Sequence, residues 1–286
     1  NATPKWGYPQ VVMTGVVEGH TAITKITGGT FTNKKSGDNI FHGLGKATSD
    51  NFEVSGGTFN KSVPDSYMTD GYIPVRNADG TYGVKEGKFV AEVGSKKYET
   101  LADAIRLATR GKTVKLLDDV TLDAAVKVPA GKTVTLDLNG KELSTSENAA
   151  DNTKHYYAID NYGVFTLLDS SAEQTGEIRA RGIENLESGK MVIESGTIVA
   201  IDTNGGAAVW NKADLTINGG VFKAEHEGAS SDTYGPGCVY SEGTVLVTGG
   251  AFESANKRTY AFVSKTGSVT ITPAGGKTVN ISGAHG

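Results

Sequence analysis

AVWNKADLTINGGVF, residues 208–222, carries the plan from which the fold is read. It returns at residues 238–252 as CVYSEGTVLVTGGAF, and its second half recurs as KITGGTF at 25–31 and EVSGGTF at 53–59. Weaker copies run through AIDNYGVFT (158–166), IENLESGKMVIESGTI (183–198) and AFVSKTGSVTI (261–271). Each copy has a short apolar strand, a polar residue, a small turn and an alternating strand; the strong copies add Gly-Gly-x-Phe. The polar position is filled by Asn161, Asn185, Asn211, Ser241 and Ser264, spaced 24, 26, 30 and 23 residues apart. Strand-and-turn units at that interval predict a solenoid.

A strand of five or six residues cannot bury its apolar face alone, so each unit needs a copy of itself above and below. The period of two in Thr244–Thr248 sends Val245 and Val247 to one face. Gly219, Gly220, Gly249 and Gly250 are read as structural, supplying backbone angles that let the chain turn before Phe222 or Phe252 points inward. Stacked coils place Asn161, Asn185 and Asn211 in one column, where amide side chains hydrogen-bond as a ladder.

The pattern resembles the right-handed parallel β-helix of the pectin-lyase-like superfamily. More narrowly, it is similar to the GGTF-repeat modules of large surface and secreted proteins of gut Gram-positive bacteria. The resemblance implies an all-β right-handed solenoid and an extracellular location, secreted or attached to the cell surface. It does not imply an activity, because that superfamily holds lyases, hydrolases, adhesins and passive stalks.

Composition narrows the function classes. The 286 residues include 38 glycines and only 7 prolines, which suits a β-rich fold with many tight turns. A net charge of −4 and a pI near 5.8 leave no basic surface for nucleic acid. No apolar run reaches membrane-spanning length, so no insertion into a membrane is expected. The single Cys238 stands where other copies have Ala158, Ala208 or Ala261, and is read as a small packing residue. No signal sequence precedes Asn1, and no cap is evident before Gly286, which reads as a fragment of a longer polypeptide.

Two unequal modules are expected. Residues 1–87 hold two GGTF units 28 residues apart and a closing β-hairpin at 73–84 around Asn77-Ala78-Asp79-Gly80. Residues 88–286 begin with short strands and one helix near 100–110, with Thr100 as N-cap, Gly111 as terminator and Leu101, Ala104, Ile105 and Ala108 on one face. Such a helix covers the open end of a solenoid. The first two coils are too few to stand alone, so end-to-end self-association is one expected way to complete them.

The corners at 144–157, 223–237 and 253–260 are long, and insertions on one side of a repeat fold usually build its binding face. They bring Tyr156, Tyr157, His226 and Tyr234 forward as ligand contacts. Strand parity adds an outward column of Asp160, Glu184, Trp210, Tyr240 and Val263, in which Trp210 and Tyr240 lie about 4.8 Å apart. Paired aromatics make a flat platform against which sugar rings pack. The alternative is that the 225–236 insertion folds over them as a satellite core.

Catalytic patterns are sparse. His20, His42, His155 and His226 lack metal-ligand spacing, no GxSxG or calcium nonapeptide array occurs, and no cofactor or metal is expected. Asp118 and Asp119 point to opposite faces if extended. Asp137 and Asp169 lie in different coils; Asp160, Asp169, Arg179 and Arg181 are the best candidates for lyase chemistry. The sequence therefore favours a non-catalytic module that contacts host or dietary glycans or mucin. The alternatives are a polysaccharide lyase or glycosidase of the same fold, or an accessory module beside a catalytic domain.

Overall fold

The computed structural model describes residues 11–16, 20, 22–35, 39–109, 111–145, 156–201, 206–225, 237–254 and 259–283. Among these residues the chain is all-β with one short α-helix, and it divides into two compact units, Asn1–Lys88 and Phe89–Gly286.

In the larger unit, parallel strands stack into three sheets, and the chain visits them in turn. The first, here the ladder sheet, is formed by Val126–Val128, Ile159–Asn161, Ile183–Asn185, Val209–Asn211, Val239–Ser241 and Phe262–Ser264. The second, the threonine sheet, runs from Thr113–Leu116 through Thr133–Asp137, Val164–Leu168, Lys190–Ile193, Asp214–Ile217 and Thr244–Val247 to Ser268–Ile271. The third, the phenylalanine sheet, runs from Val120–Leu122 through Glu142–Thr145, Glu177–Ala180, Thr197–Ala200, Val221–Ala224 and Gly250–Ser254 to Val279–Gly283.

Alternation along each strand sends one rank inward, and the register keeps that rank aligned from coil to coil. Ile159, Ile183, Val209 and Val239 are successive partners and fully buried. So are Ile193, Ile217 and Val247 in the threonine sheet, and Ile198, Phe222 and Phe252 in the phenylalanine sheet. The Phe222 and Phe252 rings stack at 4.8 Å and 7°. Burying each of these side chains contributes about 1.5–3 kcal/mol, and the neighbours above and below supply most of the cover.

The first corner is held by the expected amide column. Asn161 Nδ2 donates to Asn185 Oδ1 (2.8 Å), Asn185 Nδ2 to Asn211 Oδ1 (2.7 Å) and Asn211 Nδ2 to Ser241 Oγ (3.0 Å). All four residues are fully buried. Two of the three amides also serve their own turns: Asn161 Oδ1 accepts from Gly163 N, and Asn211 Oδ1 from Ala213 N. The side chains therefore satisfy backbone groups that the change of sheet would strand, while tying coil to coil.

At the Gly-Gly corner the two glycines do different jobs, where the sequence suggested one. The second bends: Gly220 has φ +97° and Gly250 +118°. The first lies under the preceding coil, where a Cβ on Gly219 would stand 2.5 Å from Glu194 O and one on Gly249 2.6 Å from Asn218 O. Cys238 is buried and its Sγ donates to Phe222 O at 3.2 Å. Burial pushes the thiol up to about 12, so it carries no thiolate at neutral pH.

The start of this unit is closed. Ala91–Val93 runs antiparallel to Thr113–Leu116, with Lys96–Tyr98 on its other side. The helix is Leu101–Leu107, with Thr100 Oγ1 accepting from Asp103 N, and Leu101, Ala104, Ile105 and Ala108 buried as expected. It ends three residues earlier than the sequence suggested, because Ala108 leaves helical geometry (ψ 130°). Lys132 Nζ then donates to the carbonyls of Arg106 and Ala108, a cap the sequence did not reveal. Thr100→Ala is expected to lower stability by about 1 kcal/mol, read as a denaturation midpoint shift.

In the smaller unit, Val12–Val16 pairs in parallel with Phe41–Gly45, and Thr24–Phe31 with Phe52–Phe59. Ile26, Ile40, Phe41, Phe52, Val54, Phe59 and Val63 form its core, and the Phe31 and Phe59 rings stack at 5.0 Å. An antiparallel hairpin, Tyr72–Arg76 with Tyr82–Glu86, closes the far side, where Tyr82 pairs with Phe59.

Candidate functional site

The ladder strands are three residues long, with the middle one facing out. Register partners there are Lys127, Asp160, Glu184, Trp210, Tyr240 and Val263, so the outward column read from strand parity is present. The Trp210 and Tyr240 rings lie 4.2 Å apart at 38°. Trp210 is half-buried, and its indole Nε1 is buried with no hydrogen-bond partner among the described residues.

Beside this column lies a cleft of about 360 Å³. Trp210, Glu184 and Asp160 form one side, and Tyr156, Tyr157, Arg181, Lys212 and Ala125 complete it. Tyr156 is anchored by its hydroxyl, which donates to Leu122 O at 2.7 Å. Tyr157 is buried, meets Trp210 edge-on at 6.4 Å and carries the Arg181 guanidinium 5.2 Å above its ring. Lys212 Nζ pairs with Glu184 Oε1 at 2.9 Å, and that hydrogen bond holds the Lys212 ammonium above its usual range. The cleft is thus lined by three aromatic residues and by two ionisable side chains of each sign.

Asp160 is perturbed by its surroundings. Burial, then the neighbouring Glu184 charge, raise its carboxyl above the ordinary range, against the pull of Lys127. A carboxyl raised on folding contributes stability that is full below its unfolded value, about 3.9, and is lost as pH rises through its folded value. Asp160→Asn is therefore expected to raise the melting temperature at pH 7 and to leave it unchanged at pH 3. Thermal melts at the two pH values check this.

Of the residues singled out in the sequence, Asp160, Glu184, Trp210, Tyr156 and Tyr157 line the cleft, and Tyr240 lies tilted against Trp210. His226 and Tyr234 lie outside the described residues, as does His155. The four lyase candidates do not come together: Asp160 and Arg181 line the cleft, whereas Asp169 and Arg179 do not. Asp169 is a buried turn anchor, taking Gly140 N and Ser171 N on Oδ1, and Gly176 N and Ser171 Oγ on Oδ2. Burial opposes its charge, but these donors hold its carboxyl below the ordinary range. Asp137 is tied in the same way to Asn139 N, Ser170 N and Ser170 Oγ. Arg179, on the phenylalanine sheet, is paired with Glu225 at 2.8 Å and Glu177 at 3.6 Å. Asp119 accepts from Glu142 N, another turn contact.

Lys212 was not singled out in the sequence, although the clue was there. Glu184 precedes its ladder asparagine, Lys212 follows the next one, and stacking makes them diagonal neighbours of opposite charge. Among the described residues no group of three or more His, Cys, Asp or Glu is placed to hold a metal ion, and no helix is long and apolar enough to cross a membrane. Comparison with protein-family models, with curated proteins and with solved structures gives no match in any of the three.

Proposed function

We propose that the chain is a non-catalytic module of an extracellular bacterial surface protein, a right-handed β-helix of the GGTF-repeat, pectin-lyase-like kind, and that it contacts a glycan at the Trp210 cleft. The observation that carries this reading is the Trp210–Tyr240 pair at 4.2 Å beside charged groups of both signs. A pyranose ring has an apolar C–H face and a rim of hydroxyls. The first packs on an aromatic face; the second needs donors and acceptors such as Arg181 and Asp160. The site is built on stacked strands, so its side chains are held in place before any ligand arrives.

The test is an array of mucin-type and plant glycans, followed by titration of the hits. Wild type binds a subset, and Trp210→Ala weakens binding about tenfold or more, which corresponds to about 1.4 kcal/mol. Absence of wild-type binding across the array defeats the proposal.

A second reading, a glycosidase or polysaccharide lyase, is favoured by one feature: Asp160, with its raised carboxyl, lies one strand spacing from Glu184. Neighbouring carboxyl groups of which one holds its proton more tightly than usual are the pattern of acid and nucleophile or base. Against it, Glu184 is engaged by Lys212. Release of reducing ends or unsaturated products, lost in Asp160→Asn, supports this reading; intact polysaccharide after prolonged incubation removes it.

A further inference from the structure

The outward column of the ladder sheet sets two carboxyl groups side by side, and the protein supplies a cation for one of them. Asp160 and Glu184 are register partners on neighbouring strands, about 4.8 Å apart at the backbone. Glu184 is answered by Lys212, whose Nζ stands 2.9 Å from Oε1. Asp160 has no such answer. Among the described residues its carboxyl makes no ion pair and no hydrogen bond, and Lys127, its register partner on the other side, acts on it only through space.

A half-buried carboxyl in that position works against the fold, since burial and the Glu184 charge both favour its protonated form. Folding alone gives no reason for an acid there; the cleft beside it does. Trp210, Tyr156 and Tyr157 line the same cleft, and aromatic faces attract cations and repel anions. The Arg181 guanidinium already lies over the Tyr157 ring, while the charges that act on Asp160 are those of Glu184 and Lys127. An ammonium entering the cleft would give the carboxylate its missing donors and offset the repulsion from Glu184. A uronate or sulfated sugar would bring a third negative charge to the pair, and a neutral sugar would leave the repulsion in place.

We propose that the glycan taken by this cleft carries a protonated primary amine, as a hexosamine without its N-acetyl group does, and that the ammonium sits between the Asp160 carboxylate and the Trp210 ring. This rests on the glycan reading of the cleft and narrows it to one substrate class. A primary ammonium has three N–H donors, so it serves Asp160 while its charge faces the ring. An acetamido group offers one neutral N–H and no charge. Lys212 keeps Glu184 occupied, so Asp160 is the carboxylate that the ligand meets.

Isothermal titration near neutral pH, at about 0.15 M salt to screen long-range attraction, compares short glucosamine oligomers with their N-acetylated counterparts and with galacturonate oligomers. Wild type binds the amino form about tenfold or more tighter than the acetylated form, and the uronate least. Asp160→Asn, a variant expected to be more stable than wild type at that pH, erases the preference. Glu253→Gln removes the same unit of charge from the phenylalanine sheet, away from the cleft, and keeps it. Acetylated or acidic oligomers that bind in a Trp210-dependent way, with no advantage for the amino form, overturn this inference and leave the glycan reading standing. No binding of these oligomers or of any glycan on the array overturns both. A preference that survives Asp160→Asn, or that Glu253→Gln also erases, belongs to the net charge of the protein and overturns the inference as well.

Discussion

Asn185→Asp, which exchanges one side-chain NH2 for an oxygen, is expected to cost about 3–5 kcal/mol at pH 7, the usual penalty for an uncompensated buried charge. Asn185 is fully buried and sits mid-ladder; its Nδ2 donates to Asn211 Oδ1 at 2.7 Å and Asp214 O at 3.0 Å. A carboxylate turns both contacts into facing acceptors. Such a group would have its folded pKa raised well above about 3.9, because burial and the lost donors both disfavour the charge. The sign follows: stability is full below the unfolded value, where the protonated acid can donate to Asn211, and is lost as pH rises through the folded value. Chemical denaturation at pH 3.5 and pH 7 measures this, and the two midpoints should diverge. Asn185→Ala is expected to cost less, about 2–3 kcal/mol, because Asn161 Nδ2 keeps Lys190 O at 3.2 Å and Asn211 Oδ1 keeps Ala213 N.

The second large effect is expected at Gly182, between the phenylalanine sheet and the ladder sheet. Its φ is +124°, and a Cβ would lie 1.8 Å from Ala207 O and 2.7 Å from Ala208 O. These atoms are backbone of the next coil, so no side chain can swing aside. They also lie beside ladder bonds: Ala158 N donates to Gly182 O at 2.8 Å and Ile183 N to Ala208 O at 3.0 Å. Gly182→Ala must force two coils apart as well as accept the backbone strain, for about 4 kcal/mol or more. Gly80 provides the contrast, with φ +85° in a hairpin turn and nothing within 4 Å; alanine there costs about 1 kcal/mol. Equal losses at the two glycines, measured by urea denaturation, would contradict the assigned closeness of the coils.

Much of this was legible in the sequence because stacking is written as repetition. The positions of Asn161, Asn185 and Asn211 mark equal places on successive coils, and the parity of VWN and VYS then puts Trp210 over Tyr240. What repetition does not encode is what leaves it. The end of the capping helix depends on Lys132, which arrives from another coil, so local propensity extended the helix to residue 110. Asp169 reads as a candidate catalytic carboxylate in the sequence because its donors come from Ser171, Gly140 and Gly176, brought together only when the corners fold. Lys212 is not marked by its own strand, because its role depends on a diagonal between coils. The unequal duties of paired glycines required the neighbouring coil's carbonyl positions, which no single repeat contains.

Spin labels along the threonine sheet give the most direct measurement of coil-on-coil register. With Cys238 replaced by alanine, cysteines at Val192 and Thr216 put labels on residues that are direct register partners on neighbouring strands, a separation of about 4.8 Å between backbones. Their spectrum should show strong dipolar broadening and spin exchange. Labels at Val192 and Leu246, one coil further apart through Thr216, should show markedly less. Sharp, non-interacting spectra from the first pair, or equal broadening in both, would contradict the stacked architecture and with it the site built on its surface.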